Sequence, residues 1–386
     1  MNPNSATSQR FDVLIVGLGG VGSAACYALA KQGYRVVGID QFDPPHRMGS
    51  SHGDTRIIRK SYFEHPDYVP LLIRAYELWK TLEFEVDKQL YFPTGLLEIG
   101  PPDGVVLSGV ARSAAEHSLP IETMSMQKAI ERYPGIAGSD AWQAILEKDA
   151  GYLLVEECVA AHLQQARKLG AQIRVNERML RWHADKHGVE IQTQRETLQA
   201  DKLILCAGPW ASQALSSYPI PLKVLRKHLY WYECQSACYS QDQGFPCFFY
   251  ETPSGYYYGF PDHSRQGLKV ARHSGGQIVS DPPIGQHTPD PQDRRLVEEF
   301  LASYLPEVSL QLRNWSGCYY TMTPDEHFIL DRLPDAPNVV VIAGLSGHGF
   351  KFTSVLGQIA SELAIEGHSK LDIDFLSIRR FLGSLR

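Results

Sequence analysis

The stretch FDVLIVGLGGVGSAACYALAKQGYRVVGID, residues 11 to 40, constrains the fold more tightly than any other part of the chain. Val13 to Val16 form a short apolar run rich in β-branched residues, as a strand buried on both faces of a parallel sheet requires. Gly17, Gly19 and Gly22 follow at once in G-x-G-x-x-G spacing, and Ala24, Ala25, Ala28 and Leu29 then recur at helical intervals. A second apolar segment, VVGI, ends on Asp40. Strand, tight turn, helix and strand in this order make a dinucleotide site. The glycines let the backbone approach a pyrophosphate, the helix start offers unpaired N–H groups to that anion, and the carboxylate can hold ribose hydroxyls. The motif alone does not separate FAD from NAD, but an acid at the end of the second strand disfavours NADP, whose extra phosphate it would repel.

A parallel sheet needs further strands, and the chain supplies them far away. LIL at 203–205 leads into CAGPW, and VVVI at 339–342 leads into AGLSGHGFKF and then an amphipathic helix over about 352–365. Between them, LYWYECQS, CFFYE, GYYYGFP and LKVARHS, within residues 229–273, read as aromatic-rich strands separated by Pro/Gly turns, the pattern of a largely antiparallel sheet. At 386 residues the chain is longer than a single hydrophobic core usually organises. The expected fold is α/β: a Rossmann-like dinucleotide domain in three segments (1–88, 151–215, 324–386) interleaved with a substrate domain built on the antiparallel sheet (89–150, 216–323). The pocket is expected between the two.

Composition narrows the partners. The chain is 44% hydrophobic and 21% charged, and no segment approaches the roughly 18 apolar residues of a membrane span, so no membrane is expected. A net charge of -6 and the absence of Lys/Arg runs argue against nucleic acid, leaving a small molecule as the partner. MNPNSATSQR at the start lacks the apolar core of a secretory signal and GSLR at the end is not an SKL-type address, so a cytoplasmic location is expected. The seven cysteines (26, 158, 206, 234, 238, 247, 318) are scattered without a CxxC pair, which suggests reduced thiols rather than disulfides or a zinc site. Asp325, Glu326 and His327 resemble metal ligands only superficially, because adjacent residues rarely converge on one ion, and no metal is assigned.

Several residues carry chemistry with more than one reading. Cys318, in SGCYYTMTPDEHFILD, reads as a buried filler, a nucleophile or a point of covalent attachment. HGDTRIIR supplies His52, Arg56 and Arg59. In a helix these share a face, whereas Thr55, Ile57 and Ile58 favour an extended segment with Arg56 and Arg59 on opposite sides. Lys351 stands at a predicted helix start beside the amides of Gly347, His348 and Gly349, a combination that can converge on an anion. In GLKVARH, alternation places Lys269, Ala271 and His273 on one face; they face either a pocket or, at a sheet edge, water. Tyr258 and Tyr320 read equally as pocket residues and as core tyrosines with satisfied hydroxyls.

Together QFDPPHRMGSSHGDTRIIRKSY (41–62), YYYGFP (256–261), GLKVARH (267–273), CYYTMTPDEHFILD (318–331) and GLSGHGFKF (344–352) resemble the monomeric sarcosine oxidase family, FAD-dependent amine oxidases that include N-methyltryptophan oxidase and pipecolate oxidase. The resemblance runs through nearly the whole chain. It implies that the dinucleotide is FAD, attached as an 8α-S-cysteinyl adduct through Cys318. Gly17, Gly19, Gly22, Asp40, Ser50, Thr55, Gly347, His348 and Gly349 are then expected to hold it. Arg59 and Lys351 are expected to pair with a substrate carboxylate, which an Arg fork grips bidentately. Tyr258, Tyr320 and His273 fall at the substrate, and His52 and Arg56 near the flavin. Lys269 falls over the opposite flavin face, where positive charge eases the first electron transfer to dioxygen.

The implied function is oxidation of a secondary amino acid of sarcosine, N-methyl amino acid or L-pipecolate type. The products are an imine, or its hydrolysis products, and hydrogen peroxide; the expected enzyme is a monomer whose partners are substrate and dioxygen. GSSHG, RIIRK, FPCF (245–248) and PDEHFILDR are closer to the pipecolate oxidases, while HGDTRIIR is shared with sarcosine oxidases. Leu18 stands where the family often has a smaller residue. Two other readings compete: a flavin dehydrogenase passing electrons to a quinone or carrier, and a non-catalytic flavin-binding protein, which leaves the clustered cations without a purpose.

Overall fold

The computed structural model describes residues 10–382 apart from 264, 281 and 283–287; residues 1–9 and the C-terminal GSLR lie outside the described residues. Phe11–Val16 forms the middle of an eight-stranded sheet, parallel to Val36–Ile39 on one side and to Thr197–Leu205 on the other. Gln172–Arg174 continues the parallel order beyond Val36–Ile39, and Ala336–Ala343 continues it beyond Leu203 to Leu205. Val13 and Ile15 bury themselves with the helices on one face, while Leu14 and Val16 join a second cluster on the other. The continuous apolar run is thus explained by burial on both sides. The strand at 203–205 is longer than its apolar tip suggests: it begins at Thr197, where Leu198 and Ala200 are buried and Gln199 and Asp201 exposed, the alternation of a half-covered strand.

A second sheet of nine strands is largely antiparallel. Lys223–Cys234 pairs along its length with Val308–Met322 and, on its other edge, with Leu268–Arg272 and Gln277–Val279. Gly255–Phe260, Cys247–Thr252 and Leu96–Gly100 follow, the last two in parallel. Gln143–Glu147 and Glu122–Ser125 complete it. Phe248, Tyr250 and Tyr257 pack on the face covered by helix Pro291–Tyr304; Phe249, Tyr258 and Phe260 turn to the other. That second face looks toward the first sheet's ligand end.

A small third sheet joins Thr55–Ile58, Gly151–Leu154 and Tyr91–Phe92, so HGDTRIIR is extended rather than helical over its β-branched part. After the last parallel strand, a short 3-10 turn at Phe350–Phe352 leads into helix Thr353–Ile365. Among the described residues no helix is long and apolar enough to cross a membrane.

Candidate active site

One cavity runs from the glycine turn to the aromatic face of the large sheet; its wall includes Gly17, Gly19, Asp40, Ser50, Arg56, Arg59, Tyr258, His273, Tyr320, Gly347 and Lys351. At the turn, Gly17 has φ 87° and a Cβ there would lie 2.3 Å from the Cys206 carbonyl oxygen; a Cβ on Gly22 would lie 1.8 Å from Gly17 O. Only glycine closes this turn. Helix Gly20–Lys31 starts without a side-chain cap, and Gly20 N donates to Ser51 Oγ at 3.0 Å. The Asp40 carboxylate, on the same wall, accepts from Leu18 N at 2.8 Å and Phe42 N at 2.9 Å, so it ties the two turns together. The Leu18 side chain leaves the cavity for the core over Gly38, where any Cβ would meet it at 2.6 Å.

At the far end two buried cations share one ring. The Arg59 guanidinium lies 4.6 Å from the centroid of Tyr62, and Lys351 Nζ lies 5.1 Å from the same centroid. Arg59 Nη2 donates to Glu64 Oε2 at 2.5 Å, and its Nε faces Glu98 Oε1 at 3.6 Å. Lys351 Nζ donates to His348 O at 2.7 Å and to Tyr62 Oη at 3.5 Å. His348 Nε2 lies 3.0 Å from the Glu326 carbonyl, which only accepts, so the proton sits on Nε2 and Nδ1 receives the Tyr62 hydroxyl at 2.5 Å.

Charge follows from this packing. Burial pushes Lys351 down and Arg59 adds to it, bringing the ammonium to about 7. Burial alone would raise Glu64, but Arg59, then His348 and Lys351, hold it at about 2. Burial lowers His348 to about 4, so the imidazole is neutral near pH 7.

The opposite wall is aromatic. Tyr258 and Tyr320 face each other with hydroxyls 3.4 Å apart, and Tyr320 Oη lies 3.5 Å from His273 Nδ1. Burial, with Lys227 next, drops His273 to about 3, leaving an uncharged imidazole on the cavity wall. Gly347, at φ 82°, lies so close under Tyr320 that a Cβ would stand 2.3 Å from its ring.

Not every expected residue reaches the cavity. Lys269 is 2% exposed and off the cavity wall; its Nζ donates to Gly53 O at 2.6 Å, Thr55 O at 2.7 Å and Thr55 Oγ1 at 3.0 Å. Thr55 therefore serves Lys269. Its strand neighbour Ala271 shares its face, while His273, just past the strand end, does line the cavity. Arg56 turns from Arg59 toward Ser50 O and Thr55 O. His52 donates from Nε2 to Gly49 O at 3.1 Å, and burial followed by Arg56 lowers it to about 3. Cys318 is 1% exposed and, like Lys269, is off the cavity wall; it directly precedes the cavity-lining Tyr319 and Tyr320 and pairs with Lys227 across the sheet. Burial raises its thiol, and Arg56, Lys227 and Lys269 pull it back. Asp325 pairs with Arg380 at 2.7 Å and His327 with Tyr68 at 3.2 Å, so these neighbours diverge into separate contacts.

Four residues at this site escape sequence reasoning: Tyr62, Glu64, Glu98 and Lys227. Lys227 caps the carbonyls of His273, Ser274 and Gly275 at 2.8–3.1 Å, which holds the turn bearing the His273 ring. Only Glu98 leaves a signal, an acid inside the buried strand LLEIG.

FAD fits this arrangement. The glycine turn and uncapped helix suit a pyrophosphate, and the other end offers cations and aromatic rings. The Thr321 and Thr353 hydroxyls on the wall, and His52 Nδ1 nearby, are buried without a protein partner, as expected where a polar ligand completes the shell.

Comparison with known proteins agrees. The family described as FAD dependent oxidoreductase (DAO) matches residues 12–363. Monomeric sarcosine oxidase of Bacillus sp. (strain B-0618) is 40% identical over 377 residues, 97% of this chain and 97% of that protein. N-methyl-L-tryptophan oxidase of Yersinia pestis (strain Pestoides F) is 36% identical over 376 residues, 96% of this chain and 99% of its own. Two solved structures share the fold: NikD, an unusual amino acid oxidase essential for nikkomycin biosynthesis, with TM-score 0.84, 24% identity and coverage of 96% and 98%, and L-proline dehydrogenase from P. horikoshii, with TM-score 0.84, 20% identity and coverage of 98% and 100%. With the glycine turn, the matching fold and relatives aligned over nearly their whole length, the chain belongs to the FAD-dependent oxidoreductase family, in the group that holds monomeric sarcosine oxidase and N-methyl-L-tryptophan oxidase.

Proposed function

We propose that this enzyme oxidises a secondary amino acid of the sarcosine, N-methyl amino acid or L-pipecolate type, with dioxygen as acceptor and FAD tethered through Cys318. The carrying observation is the pair of buried cations over Tyr62, on the wall of the same cavity as the glycine turn. Two cations held away from water invite an anion, and a guanidinium beside an ammonium suits a carboxylate. Arg59 and Lys351 are read as the carboxylate clamp. Glu64 accepts from Arg59 Nη2, so a substrate carboxylate approaching that nitrogen competes with it. Tyr258, Tyr320 and His273 form the wall facing the amine; an uncharged imidazole can accept an N–H without repelling a cationic substrate.

When bound, FAD supplies a two-electron acceptor for the carbon next to nitrogen. Overall, the C–H and N–H hydrogens leave with two electrons, a C=N bond forms, and dioxygen becomes hydrogen peroxide. An open-chain imine is then hydrolysed by water. Lys269, tethered to the 53–55 segment, is assigned to the oxygen side, and Arg56 and His52 to the flavin surroundings. The sulfur tether is supported by the position of Cys318, enclosed beside Arg56, Lys227 and Lys269, whose charges favour a thiolate against the effect of burial. A monomer in a cytoplasm-like compartment completes the proposal.

An anaerobic absorbance titration of the FAD-loaded protein with sarcosine, N-methyl amino acids, L-pipecolate and L-proline tests it. Bleaching by one of them, followed by one peroxide per turnover in air, is expected. A flavin that stays yellow throughout would overturn the assignment, and turnover without peroxide would make the enzyme a dehydrogenase.

A further inference from the structure

Glu98 is the only acid in Leu96–Gly100, a strand whose five residues are all buried. Alternation sends Leu97 and Ile99 into the cluster beneath the sheet, and Leu96 and Glu98 to the face that carries Phe249 and looks toward Arg59. Glu98 has no exposure, and neither of its carboxyl oxygens has a hydrogen-bond partner among the described residues. Its near neighbour is Arg59 Nε at 3.6 Å, which also lacks a partner. The contrast is Glu147 on the next strand, whose two oxygens accept from Lys60 N and Ser61 N at 2.8 Å each. A buried acid left beside an unused donor is costly, so its retention calls for a role.

We propose that Glu98 is a positioning acid behind the carboxylate clamp: it takes up a proton when a ligand carboxylate settles on Arg59 and, when ionised, draws Arg59 Nε to itself and weakens the clamp. This rests on the reading that Arg59 and Lys351 receive a carboxylate. The charged and titratable groups facing Glu98 are Arg59, Glu147, Glu64 and Lys351. Burial, the largest influence, brings Glu98 to about 8; Arg59 opposes it, while Glu147 and Glu64 reinforce it. Near pH 7 Glu98 is therefore a neutral acid, and Glu64 alone balances the guanidinium. A ligand carboxylate adds a second negative charge there. An ionised Glu98 would add a third, so the ligand and the Glu98 proton bind together. The step is balanced by one proton from solvent per ionised Glu98.

The test uses the FAD-loaded enzyme and acetate, a carboxylate without an oxidisable amine, with binding read from the flavin spectrum. Between pH 7 and 9 the wild-type Kd should rise about tenfold more than that of Glu98→Gln, the increase set by a group ionising near 8. Calorimetry at pH 8 in buffers of different ionisation heat should show the wild type taking up about half a proton more per acetate than the variant. Lys351 titrates in the same direction, so Lys351→Met is measured too and should keep the Glu98 share of the uptake. Equal pH dependence in wild type and Glu98→Gln, or no uptake in Lys351→Met, overturns the inference. Arg59→Met distinguishes the underlying reading: if it binds acetate like the wild type, the clamp itself is wrong, whereas lost binding there with an unaltered Glu98→Gln profile rejects Glu98 alone.

Discussion

Replacing Arg59 by Met separates what the guanidinium does for the fold from what it does for the substrate. Arg59 and Glu64 are a nearly dry pair, 2.5 Å apart with side chains 4% and 16% exposed. Holding the Glu64 carboxyl at about 2 instead of 4.5 against the effect of burial is worth about 3 kcal/mol. That matches what removing one partner of a buried pair usually costs, about 3–5 kcal/mol. Because the folded value lies below the unfolded one, the contribution is complete above about 4.5 and fades as pH falls toward about 2. At pH 7 the Arg59→Met enzyme should therefore lose about 3 kcal/mol of stability. It should also lose a charge-assisted grip on the substrate, about 3 kcal/mol or on the order of a hundredfold in kcat/KM. Adding Glu64→Gln removes the orphaned acid, so the double variant should regain most of the stability and none of the kcat/KM. Urea unfolding of the FAD-loaded protein and peroxide-coupled kinetics measure the two quantities. An unchanged unfolding midpoint in Arg59→Met would refute the ion-pair argument; recovered kcat/KM in the double variant would refute the clamp.

Acid-precipitated wild type should keep its yellow colour while Cys318→Ala releases it to the supernatant, and a colourless wild-type pellet would contradict the tether. Lys269→Met is expected to slow reoxidation by oxygen far more than anaerobic reduction in stopped flow; equal slowing of both removes Lys269 from the oxygen side. Gly347→Ala forces a side chain at φ 82° against the Tyr320 ring, so it should lower the thermal midpoint and raise KM, by at least about 1 kcal/mol in stability. Normal values for both would show that Tyr320 yields without consequence.

Local pattern was enough for the parts of this protein whose partners are near in the chain. The turn at Gly17 to Gly22 is legible in its glycine spacing, although only Gly22 is required by a near neighbour, Gly17 O, while Gly17 itself is pressed by the distant Cys206 carbonyl. The doubly buried strand before it announces itself by having no polar side. The extended conformation of Thr55–Ile58 follows from β-branching alone. Leu18 makes the same point, its bulk absorbed by a glycine in the adjacent strand. The end of the 197–205 strand was visible and its beginning was not, because half-covered strands alternate polar and apolar residues and blend into loop composition. The motifs that resemble the sarcosine oxidases make the candidate site residues legible, but only as residue types in order.

Which of those residues touch each other was a matter of topology. Lys269 spends its donors on a segment 214 and 216 residues away, and so lies behind the wall rather than on it. Glu64 and Glu98 approach one guanidinium from a loop and from a strand of the large sheet, and Lys227 stands opposite Cys318 only because two long strands pair. Residue order is enough for the glycine spacing of the nucleotide turn, the two kinds of sheet and the supply of cations, since these depend on short-range sterics and periodicity. The tertiary structure alone decided the charge each cation carries and what it faces, since burial and electrostatic neighbours arise only when distant segments close over one another.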